Sequence, residues 1–339
     1  MPKGFPTTAR RRPRRRSPPP VYAAIDLGTN NCRLLVARPA PDGFKVIDGY
    51  SRIVRLGEGV AASGELADAA IERAVEALKT CARKIKARNV RETRSIATQA
   101  CRQAANGEAF LKRVEEETGL ALEAISPAEE ARLTLAGCAP LLGTGHPRVL
   151  MFDIGGGSTE LMWVAAGPGE EPRAIDVLSL PIGVVSLAEE FGEDALPPDV
   201  FEGIVGRVDE ALAPFEERHQ ILSKIENGDV HMLGTSGTVT TLGAIYLDLP
   251  RYDRSRVDGL SIRFESIHAI AARLATLDFE ARNRHPCIGP GRADLMIMGC
   301  AILTAICRRW PAGTLTAADR GIREGLLLGM MAADRAPAP

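Results

Sequence analysis

The 339-residue sequence has no Cys-x-x-Cys pair, no apolar run long enough for a membrane helix and no acid in its first 20 positions. Its seven cysteines stand at 32, 81, 101, 138, 287, 300 and 307. The odd number and the spacing argue against a disulfide framework or a zinc site and predict buried free thiols in a reducing compartment. The longest apolar stretch, 295–307, is interrupted by Gly299 and Thr304. It falls short of the ~18 residues of a membrane span and reads as a buried helix. The basic N-terminus lacks the apolar segment of a secretory signal. These absences predict a cytoplasmic protein with no membrane partner. Aromatic residues make up only 4%, but hydrophobic residues reach 45% and charged ones 25%, an ordinary globular balance. The length suits two domains.

The net charge of -1 conceals an uneven distribution. Residues 1–20 carry Lys3 and six arginines, whereas the remainder carries 35 bases against 43 acids. A mildly acidic body argues against a specific nucleic-acid surface. The Pro- and Arg-rich segment 1–20 is expected to be a disordered tail.

From Val21 onward, strand-like and helix-like segments alternate as in an α/β protein. Extended runs fall at 21–26, 33–38, 44–54, 94–97, 123–125, 148–153, 159–164, 174–180 and 230–233. Helical periodicity covers 65–88, 107–118, 127–142, 184–191, 197–218, 238–247, 265–274, 292–309 and 320–331. Within this order lies a repeat. Residues 24–30 (AIDLGTN) resemble 152–158 (FDIGGGS). Each places an aspartate at a strand end, then glycine and small polar residues, then another strand. The spacing suits two similar α/β domains, each opening with a β-hairpin.

Such turns expose backbone N–H groups that no ladder uses, and glycine lets phosphate oxygens approach them. Gly28, Thr29 and Asn30 in the first turn, and Gly155, Gly156, Gly157 and Ser158 in the second, form a candidate phosphate clamp. Asp26 and Asp153 can hold a hard cation such as Mg²⁺ directly or through water. Between the repeats, Ser126-Pro127-Ala128-Glu129 has the form of a capping box. That gives Glu129 a structural task and leaves the adjacent Glu130 as either a candidate base or a solvated helix-face acid. The segment 234–238 (GTSGT) follows a strand and opens a helix. Gly237 and Thr238 there suit a phosphate or nucleotide, or simply a βα turn. Arg102 could grip phosphate with two donors or lie on the surface.

In combination these segments resemble the exopolyphosphatase/guanosine pentaphosphate phosphohydrolase family, a branch of the superfamily that includes actin and the sugar kinases. The resemblance covers about residues 21–335. It rests on 24–36 (AIDLGTNNCRLLV), 55–60 (RLGEGV), 97–107, 125–137 (ISPAEEARLTLAG), 153–161 (DIGGGSTEL), 179–184 (SLPIGV), 233–244 (LGTSGTVTTLGA) and 319–326 (DRGIREGL). It implies two actin-like (ribonuclease H-like) domains with an active site in the cleft between them. One domain would span 21–128, joined by a C-terminal helix at about 318–335, and the other 129–317. By position Glu130 matches the family's catalytic base. Asp153 and Glu160 match its catalytic and metal-supporting carboxylates, and Asp26 the aspartate of the first turn. Asn30, Arg102, Gly156, Gly157 and Ser158 match its phosphate-binding set, and Arg292 lies near the cleft.

The implied activity is Mg²⁺-assisted release of terminal orthophosphate from inorganic polyphosphate, or conversion of pppGpp to ppGpp in the stringent response. The residues leave these two substrates unresolved. The first turn lacks the serines that more often flank the Asn, and Gln99 replaces a commoner Ser. Many relatives also carry a further C-terminal helical region, so short chains are the expected preference. Relatives often form homodimers. The rival readings are a guanosine polyphosphate-binding regulator and an ATP-dependent small-molecule kinase of the same superfamily.

Overall fold

The computed structural model describes residues 19–41, 43–142, 145–192, 196–289 and 291–335. The basic tail expected over 1–20 lies almost wholly outside the described residues. Two sheets organise the rest. The first comprises β1 (Tyr22–Leu27), β2 (Asn31–Ala40), β3 (Gly43–Ile53), β4 (Glu92–Ala97) and β5 (Glu123–Ala124), in the order β3-β2-β1-β4-β5. The second comprises β6 (Arg148–Ile154), β7 (Thr159–Ala165), β8 (Arg173–Leu180), β9 (Val230–Thr235), β10 (Leu260–Arg263) and β11 (Thr314–Ala318), in the order β10-β11-β9-β6-β7-β8.

The repeat read in the sequence is a repeat of topology. In each sheet the first strand pairs antiparallel with the next and parallel with the fourth: β1 with β2 and β4, β6 with β7 and β9. β1 and β6 are nearly continuous apolar runs because they sit centrally, with both faces covered. Each delivers its aspartate to the carboxyl end of the sheet, where a crevice forms in open α/β folds.

Two helices occupy the space between the sheets. Ile322–Ala333 lays Leu326, Met330 and Met331 against Tyr22, Ala24 and Leu35 of the first sheet. Pro127–Cys138 turns Ala131, Leu135 and Cys138 toward Val149, Met151 and Met162 of the second. The two helices meet almost backbone to backbone. A Cβ on Gly325 would fall 2.0 Å from Leu133 O, and one on Gly137 2.0 Å from Gly321 O. This close seat fixes the first turn of Pro127–Cys138, and with it Glu130. Ser126 caps that helix by accepting from the Glu129 amide at 3.2 Å. The expected capping box is only half made, because the Glu129 carboxylate turns to Arg132 in two 2.7 Å hydrogen bonds instead of returning to Ser126.

Residues 295–307 lie in the buried helix Ala293–Arg309. Among the described residues no helix is long and apolar enough to cross a membrane. All seven cysteines are buried and free.

Candidate active site

The two hairpin turns are built alike. Gly28 N donates to Asn31 O at 2.9 Å, and Gly155 N donates to Ser158 O at 2.8 Å. They abut: a Cβ on Gly156 would lie 3.0 Å from Thr29 Cβ and 3.3 Å from Asn30 N. Glycine at 156 therefore permits the closest approach of the two halves. The cleft beside this contact is lined by Asp26, Gly28, Thr29, Asn30, Asn31, Arg33, Glu130, Asp153, Gly155, Gly156, Gly157, Ser158, Gly237, Thr238 and Arg292. Sequence segments up to 266 residues apart thus converge on one wall. Ser236 caps the helix Gly237–Tyr246 by accepting from Val239 N at 3.1 Å, and the start of that helix, Gly237 and Thr238, lines the same space.

Two expected residues stand behind this wall rather than on it. Arg102 donates through Nη1 to Ile125 O at 2.7 Å and to Glu130 Oε2 at 2.9 Å. Glu160 is 3% exposed, and its Oε1 accepts from Ser158 at 2.6 Å and from Ser179 at 3.0 Å. Neither lines the cleft among the described residues. Nor, among those residues, do three His, Cys, Asp or Glu side chains converge to hold a metal alone. The Ser158 and Ser179 hydroxyls engage Glu160 Oε1, while Asp26 and Asp153 line the cleft itself.

The carboxylates share one electrostatic field. Burial lifts Glu130 to about 8, reinforced by Glu160 and opposed by Arg102. Burial, then the neighbouring Glu160, lifts Asp153 to about 8. Asp26 is also raised by burial, against the pull of Arg33 and Arg323. Several buried acids held above their ordinary range signal a deficit of positive charge, which a cation can relieve. The donor chemistry suits magnesium, which commonly takes one or two carboxylates together with water and phosphate oxygens. The side-chain oxygens of Asn30 and Asn31, buried without a partner, add capacity in the same turn.

A second hollow continues past Arg292 and is lined by Arg33, Arg254, Arg320 and Arg323. Arg254 is paired with Glu324 at 2.9 Å and Arg320 with Asp258 at 2.7 Å. Arg33, Arg292 and Arg323 have no side-chain hydrogen bond or ion pair with described residues. Sequence reasoning missed Arg33 and Arg323. Strand register could have found Arg33, which lies opposite Asp26. Arg323 reaches the site only through the packing of the chain's last helix.

The model of the Ppx/GppA phosphatase family matches residues 35–334. The solved structure of the Aquifex aeolicus member of that family is 27% identical, with a TM-score of 0.77, over 94% of this chain and 100% of the other. A solved exopolyphosphatase-like protein is 29% identical, with a TM-score of 0.83, over 91% and 97%. An exopolyphosphatase from Cytophaga hutchinsonii, 22% identical over 92% and 98%, shares the fold with a TM-score of 0.82. Two actin-like domains carry the cleft, and the chain belongs to the Ppx/GppA phosphatase family.

Proposed function

We propose that this phosphatase cleaves terminal phosphoanhydrides, releasing orthophosphate from short inorganic polyphosphate or converting pppGpp to ppGpp. The observation that carries the reading is the meeting of the Asp26 and Asp153 turns in one cleft, with Glu130 on its wall. The terminal phosphoryl group sits between the turns and takes hydrogen bonds from their backbone amides. The rest of the polyanion extends toward Arg33, Arg292 and Arg323, whose guanidiniums have donors to spare. Asp26 and Asp153 would hold magnesium, which offsets charge building on the leaving phosphate.

Glu130 accepts a proton from the attacking water as the new P–O bond forms and the bond to the leaving phosphate breaks. Arg102 keeps Glu130 oriented and favours its ionised, proton-accepting form. Glu160 acts through Ser158, holding the hydroxyl in place. Phosphoryl transfer depends mostly on such positioning and charge stabilisation. The buried thiols suit a reducing compartment, which supports a cytoplasmic location.

The test is orthophosphate release with Mg²⁺ from tripolyphosphate, long polyphosphate, pppGpp and ATP. Turnover of tripolyphosphate or pppGpp well above ATP supports the reading. Release from none of the first three overturns it.

A further inference from the structure

The loop after β3 is attached to both halves of the cleft. Its backbone is bound to the first turn: the Val54 and Arg55 amides donate to Asn30 O at 2.9 and 3.0 Å, and Gly57 N donates to Thr29 O at 2.9 Å. Its side chain crosses over. Arg55 Nη2 donates to Asp294 Oδ2 at 2.7 Å, across 239 residues of chain. Asp294 lies in the first turn of Ala293–Arg309, two residues after the cleft residue Arg292. A second crossing follows, where Gly59 N donates to Glu189 Oε1 at 2.7 Å.

The chemistry of the pair depends on closure. Asp294 is 2% exposed, and its Oδ1 has no partner. A carboxylate so buried is costly to leave unpaired, and Arg55 is its ion-pair partner. Separating the halves breaks that pair. Arg55 also holds a left-handed backbone with φ of 46°, uncommon for a residue with a Cβ. Its conformation serves the placement of the arm.

We propose that Arg55 and Asp294 are a positioning pair that sets the closed cleft, registering the Thr29–Asn30 turn against Arg292 so that both halves grip one phosphate chain. The consequence for rate rests on the hydrolase reading. The geometric consequence does not, and it can be measured without turnover.

The experiment places two fluorophores, at Lys86→Cys in the helix Asp68–Ala87 and at Glu210→Cys in Pro198–His219, both exposed positions, while the native cysteines are buried. Dye separation and tripolyphosphate affinity, in chelator to stop turnover, are compared for the otherwise native protein, Arg55→Asn, Asp294→Asn and the double variant. Asn tolerates the left-handed backbone at 55. Each single variant is expected to lengthen and broaden the separation and to weaken tripolyphosphate binding at least tenfold. The double variant should lose no more than the worse single one, and Arg55→Lys should recover part of the loss. Unchanged separations, or losses that multiply in the double variant, overturn the proposal. Separations that respond as expected in a protein releasing no phosphate uphold the pair and count against the hydrolase reading alone.

Discussion

Arg33 and Glu160 occupy the same place in the two halves of the molecule. Arg33 stands opposite Asp26 in the β1–β2 register, and Glu160 stands opposite Asp153 in β6–β7. One half therefore sets a cation beside its aspartate and the other an acid. The topological repeat has thus acquired two different ends, one cationic and one acidic.

In the proposed function Glu160, at the acidic end, is a positioning residue. Glu160→Ala leaves the Ser158 and Ser179 hydroxyls without their shared acceptor and should raise KM for tripolyphosphate about tenfold, from the ~1–3 kcal/mol attached to an unsatisfied buried group. Glu160→Gln keeps an acceptor oxygen and should stay within about threefold. Steady-state kinetics of the two variants separate the roles, because a direct ligand would fail in both.

The cationic end predicts a binding phenotype. Arg292→Gln and Arg323→Gln should each raise KM about 10- to 100-fold with a smaller change in kcat, as expected for loss of a charge-assisted hydrogen bond of ~1.5–3 kcal/mol. Both should also flatten the dependence of KM on salt, which initial rates from 50 to 500 mM salt would reveal.

The helix pair that carries Glu130 predicts a stability phenotype. Gly325→Ala forces a Cβ to 2.0 Å from Leu133 O and should destabilise the fold by about 3 kcal/mol. Gly329→Ala, in the same helix with nothing within 4 Å, should be neutral or stabilising by up to ~1 kcal/mol. Urea midpoints of the two variants give the comparison.

Away from the site, burial and then the neighbouring His146 push His231 down to about 4. Between about pH 6.5 and 4 the unfolded chain binds a proton that the folded chain refuses, so stability falls as pH falls through that window. Allowing for partial solvent exposure, about 1 kcal/mol should be lost at pH 5. His231→Gln should show a correspondingly smaller drop in urea midpoint between pH 7.5 and 5 than the native protein.

Much of the site was legible because its signals are local. An aspartate followed by glycines at a strand end, written twice, announced both turns, and the order of the anchors placed Glu130. What stayed hidden depends on tertiary packing. β10 and β11 carry no strong alternation, yet β11 lies between β9 and β10, its Thr- and Ala-rich residues buried by neighbours distant in sequence. Glu160 follows the second turn closely, but only the fold shows that the hydroxyl of Ser179 from β8 engages its carboxylate. Arg323 depends on a helix from the end of the chain packing on its first strand.

The measurement that tests the central claim most directly is phosphate release by Glu130→Gln beside the native protein, with tripolyphosphate binding measured on both. A positioned base is typically worth ~10²–10⁴ in rate, so kcat should fall by about that factor while affinity stays within a few-fold. A fall of less than threefold would contradict the account.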